Sequence, residues 1–277
     1  MTQNGIDITG SPEASAPRSD MPAFAALVRA VVPDLTDHQV SQLLTYRDML
    51  HARNQMVNLT AVRDFEGIER RLILESLRLY GKVKELAGEK HGRVMDLGSG
   101  GGIPGMILAI ALPEFTFSLL DATGKKVAFL RDCIDELGLT NTKAVHGRAE
   151  ELAHAIEWRS AYDVVTARAV TSLSALLELG LPFVQIKGWL VLPKGADIED
   201  EIKPAAKAAA KLGGTIVEAS FLPLVGSLVD TRLVLVRKDS PTPGTFPRRA
   251  GLPARAPLGS EQERPDKRVR RGKLKRP

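Results

Sequence analysis

The stretch Val94-Met95-Asp96-Leu97-Gly98-Ser99-Gly100-Gly101-Gly102-Ile103-Pro104-Gly105 limits the folds open to this chain more than any other feature. Val94 and Met95 have the character of a buried strand end, and Pro104 to Leu108 open an apolar helix. Between them lie glycines at 98, 100, 101 and 102, behind an acid at 96. A strand, a tight glycine turn and a helix N-terminus bring bare backbone N–H groups close to a ligand. Spacing narrows the ligand. A dinucleotide loop takes glycine at its first, third and sixth positions, and counted from Gly98 the sixth residue is Ile103. A phosphate-cradling loop ends in Gly-Lys-Ser/Thr, and none follows here. An acid at the strand end suits cationic groups, and the bland alternative is an ordinary glycine-rich connection.

From Arg93 onward the pattern alternates strands and helices. Strands are expected at Arg93–Asp96, Thr116–Asp121, Thr142–His146, Asp163–Ala167, Gly188–Pro193, Thr215–Leu222 and Arg232–Val236. Helices fall between them at Pro104–Leu112, Lys125–Leu137, Glu150–Glu157, Ser172–Val184 and Ile198–Lys211. Alternation of this kind predicts an α/β fold with a mainly parallel sheet covered on both faces. The short link Pro223–Thr231 makes the last two strands an antiparallel hairpin. Ahead of the sheet, residues 22–92 form a helical extension. Thr36-Asp37-His38-Gln39 has capping-box spacing, and Val40, Leu43, Leu44 and Leu50 then share one face of a helix to about Gln55. A polar connection, 58–64, precedes a second helix from about Phe65 to Leu86 with Ile68, Leu72, Leu79 and Val83 inward. Residues 1–21 are poor in bulky apolar side chains and are expected to be disordered. The domain at 93–239 is expected to give way to a basic disordered tail, 240–277.

Charge supports that division. The net +5 hides an asymmetry: residues 248–277 hold eleven Lys/Arg and three acids, leaving the remainder at −3. A single cysteine, Cys133, excludes a disulfide framework and a cysteine-rich zinc site, and its helical position favours a packed thiol. No metal is expected. With no secretory signal pattern and no apolar run of about 18 residues, a cytoplasmic protein without membrane partners is expected.

The run Asp-x-Gly-x-Gly-x-Gly at 96–102 resembles the first motif of class I (Rossmann-like) methyltransferases, which bind S-adenosylmethionine (AdoMet). Those enzymes show a mostly parallel seven-stranded sheet with one antiparallel strand. More closely, the chain resembles the bacterial 16S ribosomal RNA guanine-N7 methyltransferases, the glucose-inhibited division protein B family, from about Leu35 to Arg237. The carriers are Leu-Thr-Asp-His-Gln at 35–39, Asn-Leu-Thr-Ala-Val-Arg-Asp at 58–64 and Asp-Leu-Gly-Ser-Gly-Gly-Gly-Ile-Pro-Gly at 96–105. Leu120-Asp121 with Lys125-Lys126 and Phe129-Leu130-Arg131, Gly147-Arg148-Ala149-Glu150, Ala167-Arg168-Ala169 and Pro193-Lys194-Gly195 follow in order. One motif departs: where the family has His-x-x-Asp-Ser, this chain has Leu72-x-x-Glu75-Ser76, so the histidine's role is assigned to nothing here.

The resemblance implies AdoMet as cofactor and 16S rRNA, in the small ribosomal subunit or its assembly intermediate, as partner. Gly98, Gly100, Gly102 and Ile103 are then cofactor contacts. Asp121 ends the second strand 23 residues after Gly98, where an acid accepts both ribose hydroxyls; a helix N-cap is the structural alternative. Ala149 and Glu150 border the adenine by resemblance, against a solvent-facing acid in a first helical turn. Arg168 ends the fourth strand, where class I enzymes hold the acceptor, and is expected to touch cofactor or acceptor unless it only forms a structural salt bridge. Lys194, at the next strand end, meets RNA phosphate or is simply solvated. Asn58 and Arg63 are placed at the same mouth.

Absences bear on the acceptor. No Asp/Asn-Pro-Pro-Tyr/Phe follows strand four, as it does in adenine-N6 and cytosine-N4 enzymes, and no cysteine nucleophile for cytosine C5 stands near that strand end. Guanine N7 needs neither device, and no residue is assigned as acid or base. The reading is an AdoMet-dependent transferase acting on guanine N7 of 16S rRNA. Its rivals are another RNA, a protein or a small molecule as acceptor, and a ribosome-assembly factor that binds RNA without turnover. The tail, a polycation without interleaved aromatics, raises RNA affinity through counterion release or merely solubilises the chain.

Overall fold

The computed structural model describes residues 19–88, 91–168, 171–223 and 230–260. The expected disordered N-terminus up to residue 18 and the basic run 261–277 lie outside the described residues. The elements in chain order are α1 (Met21–Arg29), α2 (Asp37–Asn54), α3 (Phe65–Gly67), a π-helix (Ile68–Leu74), α4 (Glu75–Leu77) and α5 (Tyr80–Ala87). The sheet region follows as β1 (Arg93–Leu97), α6 (Gly105–Ala111), β2 (Thr116–Asp121), α7 (Gly124–Glu136), β3 (Thr142–His146) and α8 (Ala149–Leu152). It continues through β4 (Tyr162–Thr166), α9 (Leu173–Gly180), β5 (Val184–Gly195), α10 (Glu199–Leu212), β6 (Gly214–Phe221), β7 (Thr231–Lys238) and α11 (Leu252–Arg255).

The seven strands lie in the order β3-β2-β1-β4-β5-β7-β6. All neighbours are parallel except β7, which runs antiparallel to both β5 and β6. The chain builds outward from β1 to β3 and then crosses back to β4. The loops leaving β1 and β4 therefore diverge and open a crevice at the carboxyl ends of the strands. Alternate side chains of the central strands feed two cores, as a doubly covered parallel sheet requires. Val94, Phe117, Leu119, Val164 and Val191 face α6 and the N-terminal helices. Met95, Leu97, Leu120, Val165, Leu190 and Leu192 face α9 and α10.

The N-terminal helices are keyed to the sheet domain by polar side chains. Thr36 and Gln39 close the expected capping box, with Gln39 N donating to Thr36 Oγ1 at 3.2 Å and Thr36 N donating to Gln39 Oε1 at 2.9 Å. The Gln39 amide also donates to Ile110 O at 2.9 Å, and Gln42 donates to Leu137 O at 2.8 Å, so α2 satisfies carbonyls left open at the ends of α6 and α7.

Four expectations need correction. The helix expected from Phe65 to Leu86 is broken into α3, the π-helix, α4 and α5. Within it Ser76 Oγ donates back to Leu72 O at 2.7 Å, and the buried Glu75 turns toward Arg78 and Thr231. Apolar periodicity holds across the break, so the pattern of residues carries no sign of it. The helix expected to reach Val184 stops at Gly180, because β5 begins at Val184. The helix expected over Glu150–Glu157 is the four-residue α8. Finally, order does not end near Asp239. Residues 240–260 continue across the second face, burying Thr242, Phe246 and Leu258.

Candidate active site

The glycine loop is fastened to the next strand. Gly98 N and Ser99 N both donate to Leu120 O, at 2.8 and 2.9 Å, and Gly100 N donates to Asp121 Oδ2 at 2.9 Å. Gly102 sits at φ +95°, and a Cβ there would stand 2.8 Å from Met106 Cβ, so only glycine fits. Gly105 takes the close-packing role: a Cβ on it would stand 2.5 Å from Asp96 Cβ. Its N–H donates to Asp96 Oδ2 at 3.1 Å. From the other side, Tyr46 on α2 donates its buried hydroxyl to Gly101 O at 2.7 Å; burial holds that phenol well above its ordinary range.

Beneath the loop lies an unsatisfied polar pair. Asp96 is fully buried, and its Oδ1 has no hydrogen-bond partner among the described residues. Thr166 is its register partner on β4, and its Oγ1 is likewise buried without a partner. Burial pushes the Asp96 carboxyl up to about 7, with the Ser99 hydroxyl and the Gly105 N–H opposing. Buried polar atoms of native proteins are rarely left orphaned, so this pair marks where a polar group belongs.

Above the carboxyl ends of β1, β4 and β5 opens a cleft of about 950 Å³. Gly98, Ser99, Gly100 and Ile103 form one wall, and Asn58, Thr60 and Arg63 come from the connection after α2. That connection is templated by the buried Asn54, whose Oδ1 accepts from Leu59 N and Thr60 N, each at 3.0 Å. Arg168, Lys194 and Thr231 stand at the strand ends, opposite Leu72, Glu75 and Ser76. Arg168 Nη2 donates to Arg71 O in the π-helix at 2.8 Å. Burial pulls its guanidinium below the ordinary value, while Glu75 nearby acts the other way. Glu75 accepts from Arg78 Nη1 and from Thr231 Oγ1, each at 2.7 Å.

The expected residues therefore divide. Gly98, Gly100, Ile103, Arg168, Lys194, Asn58 and Arg63 share the cleft. Asp121 lies directly under the loop; its Oδ1 also accepts from Thr123 N at 2.8 Å, so it serves the start of α7 as well. Gly102 packs behind the loop, and Ala149 and Glu150 stand outside the cleft lining. Glu150 is not a solvent-facing acid: its Oε1 accepts from Gly251 N at 2.8 Å. Nor is Lys194 simply solvated, since its ammonium pairs with Glu201 at 3.1 Å and donates to Thr171 O at 3.0 Å. Tyr46, Asn54 and Thr231 are not singled out by the sequence, and Lys126 enters there only as part of a motif, without a role. A polar side chain within the apolar face of α2, as at Tyr46 and Asn54, is the signal that was available.

A doubly wound sheet with one reversed strand, an acid–glycine loop after β1 and an acid ending β2 define a class I methyltransferase. Within that class, the model of the family described as GidB, rRNA small subunit methyltransferase G, matches residues 39–224. A protein of that name from Alkaliphilus metalliredigens is 37% identical over 224 residues, covering 81% of this chain and 92% of the relative. One from Chloroflexus aggregans is 41% identical, covering 81% and 92%, and one from Lachnoclostridium phytofermentans 34% identical, covering 86% and 98%. The chain belongs to the rRNA small subunit methyltransferase G family.

Proposed function

We propose that this protein transfers the methyl group of AdoMet to N7 of a guanine in 16S rRNA of the small ribosomal subunit. The observation that carries the reading is the cleft itself. A glycine wall over a buried acid with one unpartnered oxygen faces a second wall of cations on strand ends, and both walls belong to one crevice. The residues present fit AdoMet. Asp96 and Thr166 offer acceptors to a cationic group, the loop offers open backbone, and Asp121 offers a carboxylate for ribose hydroxyls. Gly98, Gly100 and Ile103 line the cofactor's path, with Gly102 shaping the turn and Ala149 and Glu150 at the adenine end.

When bound, AdoMet supplies an electrophilic methyl carbon on a cationic sulfur. Guanine N7 carries its lone pair in the base plane and loses no proton on methylation, so the chain has to orient rather than deprotonate. The cleft agrees with that demand. Its carboxylate, Glu75, is engaged by Arg78 and Thr231 and is not placed as a base. Arg168 and Lys194 position the acceptor strand, with Arg63 and Lys126 adding positive potential at the mouth. The N-terminal helices shape that mouth through Asn58, Leu72 and Ser76. Acting on ribosomal RNA, the protein is assigned to the cytoplasm.

The test is labelled-methyl transfer from AdoMet to naked 16S RNA, assembly intermediates and complete small subunits, followed by nucleoside analysis. Label in 7-methylguanosine is the expected result. Label in another nucleoside or in protein moves the acceptor, and binding without label makes the chain an assembly factor.

A further inference from the structure

The family match ends at residue 224, yet residues 240–260 are built into the fold. They reach α9, the end of α10 and the connection between β3 and β4. Within that connection α8 spans four residues and buries none of them, and the connection's own hold is Ala153, fully buried in the second core, with Leu152 and Trp158 packed against it. It is also held from outside. Gly251 N donates to Glu150 Oε1 at 2.8 Å, and the His154 ring Nε2 lies 2.9 Å from Pro247 O. Arg159 donates to Phe246 O at 3.0 Å and to Thr242 O at 2.8 Å. The segment is in turn locked to α9. Arg248 Nε and Nη2 form a fork on Glu178 at 2.9 and 2.6 Å, and Glu178 is fully buried. A bidentate pair on a buried carboxylate fixes geometry, because either partner alone leaves a charge stranded.

The place it holds is not neutral. Gly147 N donates to Asp121 O at 3.1 Å, and β3 ends level with Asp121 in the parallel register. The 147–150 turn is thus the next backbone outward from the proposed ribose acid, at the carboxyl end of the sheet where ligands lie. We propose that residues 240–260 are a brace for the adenine end of the cofactor groove, with Arg248 as the positioning residue and the Gly251–Glu150 hydrogen bond as its point of action. This rests on the AdoMet reading above.

Calorimetry on the full chain tests it, using AdoMet and, separately, adenosine as probes. Wild type, Arg248→Lys, Arg248→Met and a remote core control, Val28→Ala in α1, are compared below their unfolding temperatures. Arg248→Met is expected to weaken AdoMet and adenosine by the same factor, about tenfold, roughly the loss of one good hydrogen bond. Arg248→Lys should lose less, and Val28→Ala should leave both affinities unchanged. Should Arg248→Met not fold, Glu178→Gln keeps the shape while weakening the pair and should show the same joint loss. Unchanged affinity in a folded brace variant, or an equal loss in Val28→Ala, overturns the proposal. Wild type that binds neither probe overturns the AdoMet reading itself, which separates the two failures.

Discussion

The two walls of the proposed cofactor groove, the glycine loop and the turn after β3, are built on different plans. The glycine wall is over-determined: Leu120 O, Asp121, Tyr46 and Gly105 each fix it from a different direction. The turn after β3 leads into a four-residue helix with no buried residue, anchored by the buried Ala153 just beyond it and by a segment about a hundred residues later in the chain. The first wall is rigid because its own sequence forbids alternatives. The second depends in part on that distant segment. A loop that must meet charge with unshielded backbone gains from pre-organisation, whereas the proposed purine slot tolerates support from a distance.

The sharpest way to break this contrast is at Gly102. Gly102→Val adds a β-branched side chain at φ +95° with its first carbon 2.8 Å from Met106. Strain and overpacking together should cost about 4–5 kcal/mol, read as a fall in the urea midpoint or a failure to fold. A stable variant with wild-type AdoMet affinity would show that the loop is not over-determined.

The buried acid sharpens the contrast through pH. The folded Asp96 carboxyl titrates near 7 against an ordinary 3.8. The native state therefore holds a proton that the unfolded chain has released between those values. Stability contributed by this group is full below about pH 4 and is lost as pH rises through 7. Asp96→Asn keeps an oxygen for Gly105 N–H and removes the titration. Relative to wild type it should gain stability from pH 5 to 8, by at most about 4 kcal/mol at one pKa unit per 1.4 kcal/mol. AdoMet affinity should rise across the same window in wild type and stay flat in the variant. Parallel denaturation curves for the two proteins would remove Asp96 from this role.

Gly98 separates folding from binding within the same wall. It has φ +71°, but a Cβ there meets nothing within 4 Å. Gly98→Ala should cost about 1 kcal/mol of stability. Its larger effect should be about tenfold in AdoMet binding, because the methyl group takes ligand space. Calorimetry beside a melting curve distinguishes this from Gly102→Val, where folding fails first.

How much of this was legible follows the same division. β2 and β3 are bounded as the alternation of the sequence indicated, Thr116–Asp121 and Thr142–His146: β2, buried on both faces, is a near-continuous apolar run, and β3, a half-exposed edge strand, is marked off by Gly138 and Gly147 on either side. The glycine wall could be read because each of its constraints is local. The π-helix could not be read, since one extra residue per turn leaves Ile68, Leu72, Leu79 and Val83 inward. Residues 240–260 could not either. Five prolines and three glycines among them look like a linker, while their hold depends on carbonyls that Arg159 collects and on one buried ion pair. Glu150 was placed beside a ligand, and the partner it shows is a backbone N–H a hundred residues away. Contacts of that range leave no local pattern.

The smallest effect is expected beyond both walls. Residues 261–277 carry eight Lys/Arg against three acids. Arg248, in contrast, is engaged by Glu178, so a test of the basic run as an RNA contact starts after Ser260 rather than at 248. Deleting 261–277 should leave melting temperature and AdoMet affinity unchanged, whereas a cut at 248 should damage both by removing the brace. RNA affinity should fall only a few-fold at moderate salt. The slope of log K against log salt should flatten by about 0.7 to 0.9 for each phosphate the tail had neutralised. An unchanged slope after the cut at 260 would make those cations irrelevant to RNA, and leave Arg63, Lys126, Arg168 and Lys194 around the cleft as the contacts that set it.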